Sequence, residues 1–235
     1  MLHGKVYLIP TVLHEDENAW QTIPSYVLDA VKDCQVFFVE NEKTARRYLK
    51  KLWREMVIDN YKWFAIHKAE EGIKQTFLQL LHQGNNIGII SEAGCPGIAD
   101  PGQILIHAAQ QAGAVVKPLV GPSSILLALM ASGMNGQCFQ FHGYLPIEAS
   151  TRKKTIRELE AESQKKKCTQ IFIETPYRNN ALIKDILQTC KNETSLCIAV
   201  DITSSTELIQ TKTIAEWRKI NVDIHKRPAI FLLYA

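Results

Sequence analysis

SEAGCPGIADPG, residues 91–102, lies between two segments of opposite character. The run before it, Asn86-Ile87-Gly88-Ile89-Ile90, is apolar and reads as a buried strand. The run after it, Gln103-Ile104-Leu105-Ile106-His107-Ala108-Ala109, reads as a helix. A strand-to-helix junction in an α/β fold usually takes about two to six residues. This one takes twelve, with Gly94, Gly97, Gly102, Pro96 and Pro101 setting its path. Glycine permits positive φ and close backbone approach, whereas proline fixes φ and removes a donor. The segment is therefore built to hold a rigid, non-repetitive shape at the carboxyl end of a strand, where open α/β sheets bind ligands. The plainer reading is a long structural turn.

Outward from this junction the chain alternates. Before it, strands are expected over residues 5–10, 35–40 and 62–67. Helices are expected over 24–31, about 42–56, and from Ile73 to a stop at Gly84. After it, a helix ending near Gly113 leads to a strand over 114–118. Such alternation predicts a parallel α/β domain. Beyond Gly121-Pro122 come a helix ending at Gly133, a strand over 138–142, a charged helix over 151–166 and a strand over 169–174. The tail is strand-rich, over 195–200, 207–213 and 229–234, with a short helix around Trp217. The expected fold class is α/β with two domains: a parallel-sheet domain over residues 1–118 and a mixed-sheet α+β domain over 119–235.

Composition narrows the function. The net charge of +3 is mild, so electrostatics alone do not demand a nucleic-acid partner. No apolar run approaches the roughly 20 residues of a membrane span, and no signal-peptide core opens the sequence. A cytoplasmic protein without membrane contact is expected. The cysteines (Cys34, Cys95, Cys138, Cys168, Cys190 and Cys197) form no C-x-x-C pair and the histidines are dispersed. Reduced thiols and no metal site are expected. The P-loop, dinucleotide-binding and nucleophile-elbow signatures are absent, which removes support from phosphoryl transfer, dinucleotide redox and hydrolase readings.

Several separate segments resemble one family. SEAGCPGIADPG is similar to the SDAGTPLISDPG loop of bacterial small-subunit ribosomal RNA (cytidine-2′-O)-ribose methyltransferases, a branch of the tetrapyrrole (corrin/porphyrin) methylase superfamily. The resemblance continues in Pro118-Leu119-Val120-Gly121-Pro122-Ser123-Ser124, in Ala131-Ser132-Gly133, in Phe139 to Pro146 and in Glu174-Thr175-Pro176-Tyr177-Arg178, in family order. It implies two α/β domains with S-adenosylmethionine in the cleft between them, usually in a homodimer. The match is to a short form, without the family's C-terminal extension. The departures lie in Pro10 to Glu15, Glu40-Asn41-Glu42-Lys43, His67 to Glu71, and Val200 to Glu207, where Ser204 replaces a family lysine. The cofactor side is thus better kept than the acceptor side.

The retained residues suit methyl transfer. A sulfonium donor needs no metal or covalent nucleophile, only alignment with the acceptor oxygen. Gly94, Cys95, Gly97 and Ile98 are candidates for presenting backbone groups to the cofactor. Ser123 and Ser124, at a helix start, offer N–H groups and hydroxyls to its carboxylate; the plainer reading is an ordinary N-cap. Glu174 joins them through the resemblance. Glu40, Glu92, Glu174 and Arg178 are the catalytic candidates, since a ribose hydroxyl needs a base or orienting group. Each carboxylate also reads as a cap or ion-pair residue, and Arg178 as a phosphate ligand or a partner of Glu174.

The acceptor is addressed by charge. Over 42–56, the cations Lys43, Arg46, Arg47, Lys50, Lys51 and Arg54 alternate with Ala45, Tyr48, Leu49, Leu52, Trp53 and Met56 at helical spacing. One face is expected in the core and the other open to phosphates or to solvent. Arg152-Lys153-Lys154, Arg157 and Lys165-Lys166-Lys167 form a second cluster. The expected activity is 2′-O-methylation of ribosomal RNA. The alternatives are methylation of a tetrapyrrole or other small molecule, and a catalytically inactive protein that binds cofactor and RNA.

Overall fold

The computed structural model describes residues 4–66 and 71–235. By backbone proximity the chain divides after Pro122 into two compact units.

The first unit is built on β1 (Lys5–Ile9), β2 (Val36–Val39), β3 (Lys62–Ala65), β4 (Ile87–Ile90) and β5 (Val115–Pro118). The order across the sheet is β3-β2-β4-β1-β5, with every pair parallel. Every residue of β2 and β4 is buried, as parallel strands covered on both faces require, whereas β3 and β5 are more open at the edges. Four helices cover the sheet: α2 (Val27–Asp33) and α3 (Glu42–Leu52) on one face, α4 (Glu71–His82) and α5 (Gln103–Gln111) on the other. A short α1 (Glu17–Trp20) precedes α2. Right-handed crossovers demand this split, because the chain moves one way from β1 through β3 and back from β3 through β5.

The second unit carries a mixed sheet, β6-β7-β10-β8-β9. Its strands are β6 (Phe139–Tyr144), β7 (Thr169–Ile173), β8 (Ser195–Val200), β9 (Leu208–Thr213) and β10 (Ala229–Tyr234). Only β6 and β7 run parallel. The helices are α6 (Ser124–Ser132), α7 (Ala149–Lys166), α8 (Asn179–Thr189) and α9 (Ile214–Trp217). The core of α7, α8 and the sheet includes Ile156, Leu182, Ile186, Phe172 and Phe231.

Several expectations are corrected. The helix α8 was not expected, although Leu182, Ile183 and Ile186 are buried at helical spacing. The strand β6 runs to Tyr144 rather than residue 142, through an irregularity beside Gly143 (φ 64°). Of the strand expected over 62–67 the structure gives Lys62–Ala65, and its expected end at His67 lies outside the described residues. The helix α3 stops at Leu52, four residues early.

The two basic clusters are mostly exposed, with Arg152 the exception. The apolar face of α3 packs as expected, with Ala45, Tyr48 and Leu49 buried. Its cations lie on the exposed face as expected, Arg46 alone being half-buried, but several have neighbours of their own. Arg46 pairs with Glu42 at 2.8 Å and lies over Trp63, and Arg47 pairs with Glu15. Lys50 Nζ donates to the Arg54 and Met56 carbonyls, and Lys51 lies over Trp20. In α7, Arg152 is buried and its Nε and Nη2 donate to Asp185 Oδ2 at 2.8 and 2.5 Å. That arginine is an internal ion pair rather than part of a phosphate-binding cluster.

Candidate functional site

In the first unit the candidates gather at the carboxyl ends of β2, β1 and β4. There β4, whose following helix lies on one face, adjoins β1 and β2, whose following helices lie on the other. Loops leaving in opposite directions open a crevice at such a switch point. Thr11 and Gly94 close its floor by exchanging backbone hydrogen bonds, Thr11 N to Gly94 O at 2.9 Å and Gly94 N to Thr11 O at 3.2 Å. Gly94 holds φ at +75°, and a Cβ there would lie 3.2 Å from Leu13 Cδ2. Its polar groups are thus engaged by the fold itself. The Cys95 thiol donates weakly to Pro122 O at 3.5 Å, and burial pushes its pKa up.

Asp100 holds the rest of the loop. Its Oδ2 accepts Gly97 N and its Oδ1 accepts Gly102 N, each at 2.6 Å. Gly97 sits at φ +84° beside it, while the Ile98 side chain is exposed. Asp100 was absent from the expected site residues. An Asp two residues before a glycine, able to accept its N–H, was the available signal.

Glu40 and Glu92 come together above the sheet. Glu40 Oε2 accepts Glu92 N at 3.0 Å, and Glu92 Oε1 accepts Thr44 Oγ1 at 2.5 Å. The Glu92 carboxylate remains exposed. One carboxylate therefore fixes the loop and the other is presented to solvent.

The second unit carries the remaining candidates. Ser123 is the N-cap of α6, yet its side chain makes no capping bond. Glu174 follows β7, with a fully buried side chain. Its Oε1 accepts Thr175 N at 2.7 Å, Arg178 Nε at 2.9 Å and Arg178 Nη2 at 2.5 Å, while its Oε2 is buried without a partner. Arg178 is thus a partner of Glu174. Nearby loops are tied by Lys226 N to Pro176 O, and by Arg227 to Asp201 and Thr206. Within the segment that departs from the family pattern, Thr203 holds φ at 73° and its hydroxyl is buried without a partner.

These donor and acceptor sets fit the cofactor implied by the sequence. A carboxylate suits the uncapped start of α6 with the Ser123 and Ser124 hydroxyls. A buried, unpartnered carboxylate oxygen on Glu174 calls for a ligand donor such as an ammonium or ribose hydroxyl.

Comparison with known proteins agrees. The model of the Tetrapyrrole (Corrin/Porphyrin) Methylases matches residues 22–217. A Vibrio cholerae protein named ribosomal RNA small subunit methyltransferase I is 32% identical over 212 residues, covering 90% of this chain and 69% of the relative. Its Escherichia coli namesake is 33% identical over 214 residues, covering 91% and 70%. Among solved structures, the methyltransferase CobJ superposes with a TM-score of 0.64 at 14% identity, covering 98% of this chain and 94% of that one. The uroporphyrin-III-C-methyltransferase of Thermus thermophilus gives 0.57 at 15%, covering 98% and 92%. At those identities the likeness concerns the fold alone. Sequence and fold together place the chain in the tetrapyrrole methylase family of methyltransferases, in the branch of the ribosomal RNA small subunit methyltransferases I.

Proposed function

We propose that the protein methylates a ribose 2′-hydroxyl of small-subunit ribosomal RNA, with S-adenosylmethionine as donor. The observation that carries this reading is the similarity to the two relatives named ribosomal RNA small subunit methyltransferase I, which spans nine-tenths of the chain. The cofactor supplies an electrophilic methyl group on a sulfonium. The chain's own part is to bind, orient and manage a proton. In the first unit, the segment from Cys95 to Ile98 would face the cofactor, held in shape by Asp100. In the second unit, Ser123, Ser124 and Glu174 are the proposed cofactor ligands.

Glu92 is the proposed base or orienting group for the acceptor hydroxyl. It is exposed, and Glu40 pins its backbone. Arg178 holds Glu174 in place and acts as a positioning residue. The proposed assembly is a homodimer. The helix α6 buries Ala128 and Leu129 yet leaves Leu126 and Met130 exposed, an apolar face that a second copy would cover. A ribosomal substrate supports a cytoplasmic location as part of this reading. No helix among the described residues is long and apolar enough to cross a membrane.

Calorimetric titration with S-adenosylmethionine and with its demethylated product tests the donor. Both should bind, and Glu174→Gln should weaken both. Absence of heat from either at millimolar concentration contradicts the reading.

A further inference from the structure

The crevice at the switch point of the first sheet contains a cavity of about 280 Å³. Its walls come from the segment after β1 (Thr11 to Glu15), from Trp20, from α3 (Thr44 to Lys51) and from Ser91 to Ala93 after β4. None of these residues except Glu92 has a role in the reading above. Pockets for small ligands typically begin near 300 Å³, so the space suits one compact molecule or a single unit of a polymer.

Its chemistry is specific. The Trp20 ring stacks on Tyr48 with centroids 5.2 Å apart, and Lys51 Nζ lies 4.6 Å from the Trp20 centroid on the ring face. Tyr48 and Lys51 thus hold the indole by its ring face, leaving its edge for recognition. At that edge, Trp20 Nε1 is buried with no hydrogen-bond partner. An indole N–H can only donate, so it calls for an acceptor atom from a ligand. Lys51 brings positive charge to the same walls and has no carboxylate partner among the described ion pairs, whereas Arg47 is paired there with Glu15. Glu92 offers an exposed carboxylate for a hydroxyl or amine.

We propose that this cavity receives one unstacked ribonucleotide of the RNA acceptor. A ribonucleotide supplies all three complements at once: a phosphate for Lys51, a carbonyl oxygen for Trp20 Nε1, and hydroxyls for Glu92. A base outside its stack exposes these groups, and extrusion into a pocket is how enzymes reach atoms that a helix hides. The inference rests on the RNA methylation reading and goes further by assigning the nucleotide to this cavity of the first unit.

The test uses the full chain and nuclear magnetic resonance of the indole N–H groups. Trp20→Phe removes one signal and so identifies that of Trp20. Titration of wild-type protein with cytidine 5′-monophosphate should shift that signal, whereas S-adenosylmethionine should leave it in place. No response to the nucleotide, or a larger response to the cofactor, overturns the proposal.

Kinetics gives an independent arm. Lys51→Gln should raise the KM for RNA roughly tenfold or more, the range expected for loss of a charge-assisted hydrogen bond. Trp20→Phe should raise it by a smaller factor without lowering Tm much, because in the free protein it removes an unsatisfied donor. Unchanged KM in both folded variants, with RNA methylation intact in the wild type, defeats the nucleotide assignment and leaves the parent reading standing. Absence of RNA methylation by the wild type defeats the parent reading itself.

Discussion

Asp100 shows how one side chain turns a glycine-rich run into a fixed surface. Its two oxygens each accept a backbone N–H at 2.6 Å, and losing them leaves Gly97 N and Gly102 N without those partners. Burial pushes its carboxyl above the ordinary range against the pull of these donors. Asp100→Ala should therefore cost about 1–2 kcal/mol, the scale of a hydrogen bond to a charged group discounted for partial exposure. Asp100→Asn should cost less, because it keeps an acceptor and sheds the buried charge. Urea unfolding checks the order, and the Ala variant should also bind cofactor more weakly. An Ala variant as stable and as tight-binding as the wild type would show that the loop keeps its shape without this residue. The glycines and prolines were legible in the sequence because their dihedral preferences are local. The Asp100 bonds were half legible, through spacing alone. The unpartnered Trp20 N–H was not legible, since its burial depends on α1 meeting α3 across the crevice.

At the scale of elements, α7 carries a pH dependence that can be measured. Its N-cap Glu148 accepts the hydroxyls of Ser150 and Thr151 and their backbone N–H groups at 2.5 to 2.9 Å. These bonds, those from the hydroxyls foremost, hold the carboxyl down at about 2 against an ordinary 4.5. A depressed folded-state pKa means the cap stabilises fully above 4.5 and is lost as pH falls through about 2. Glu148→Gln should then lower Tm at neutral pH, and the gap to the wild type should close toward pH 2. Carbon resonances of the Glu148 carboxyl should titrate near 2; a midpoint near 4.5 would contradict the cap.

The same scale explains what the sequence hid. Apolar spacing gave the buried face of α3, because burial follows periodicity. The opposite face is exposed as its spacing implied, but the partners of Arg47 and Lys51 were not legible, since Glu15 and Trp20 are distant in sequence. Nor was α8 foreseen, although Leu182, Ile183 and Ile186 carry its pattern, because Pro176 just before it marked a break and the tail read as strand.

The whole molecule joins two sheets of different logic in one chain. The first is all parallel, with loops that diverge at a crevice; the second is mixed, with buried polar groups clustered after β7 and β8. The alternation of apolar runs made both sheets foreseeable, but strand order and the cavity arise only from tertiary pairing. Family membership supplies the reaction class, and the proposed reading assigns residues to the donor and to one nucleotide of the acceptor. The direct test is to map ribose methylation across small-subunit ribosomal RNA from cells with and without the gene, with restoration by wild-type protein and by Glu92→Gln. The account predicts that a 2′-O-methyl group vanishes with the gene, returns with the wild type and returns poorly or not at all with the variant. An unchanged methylation map would contradict it.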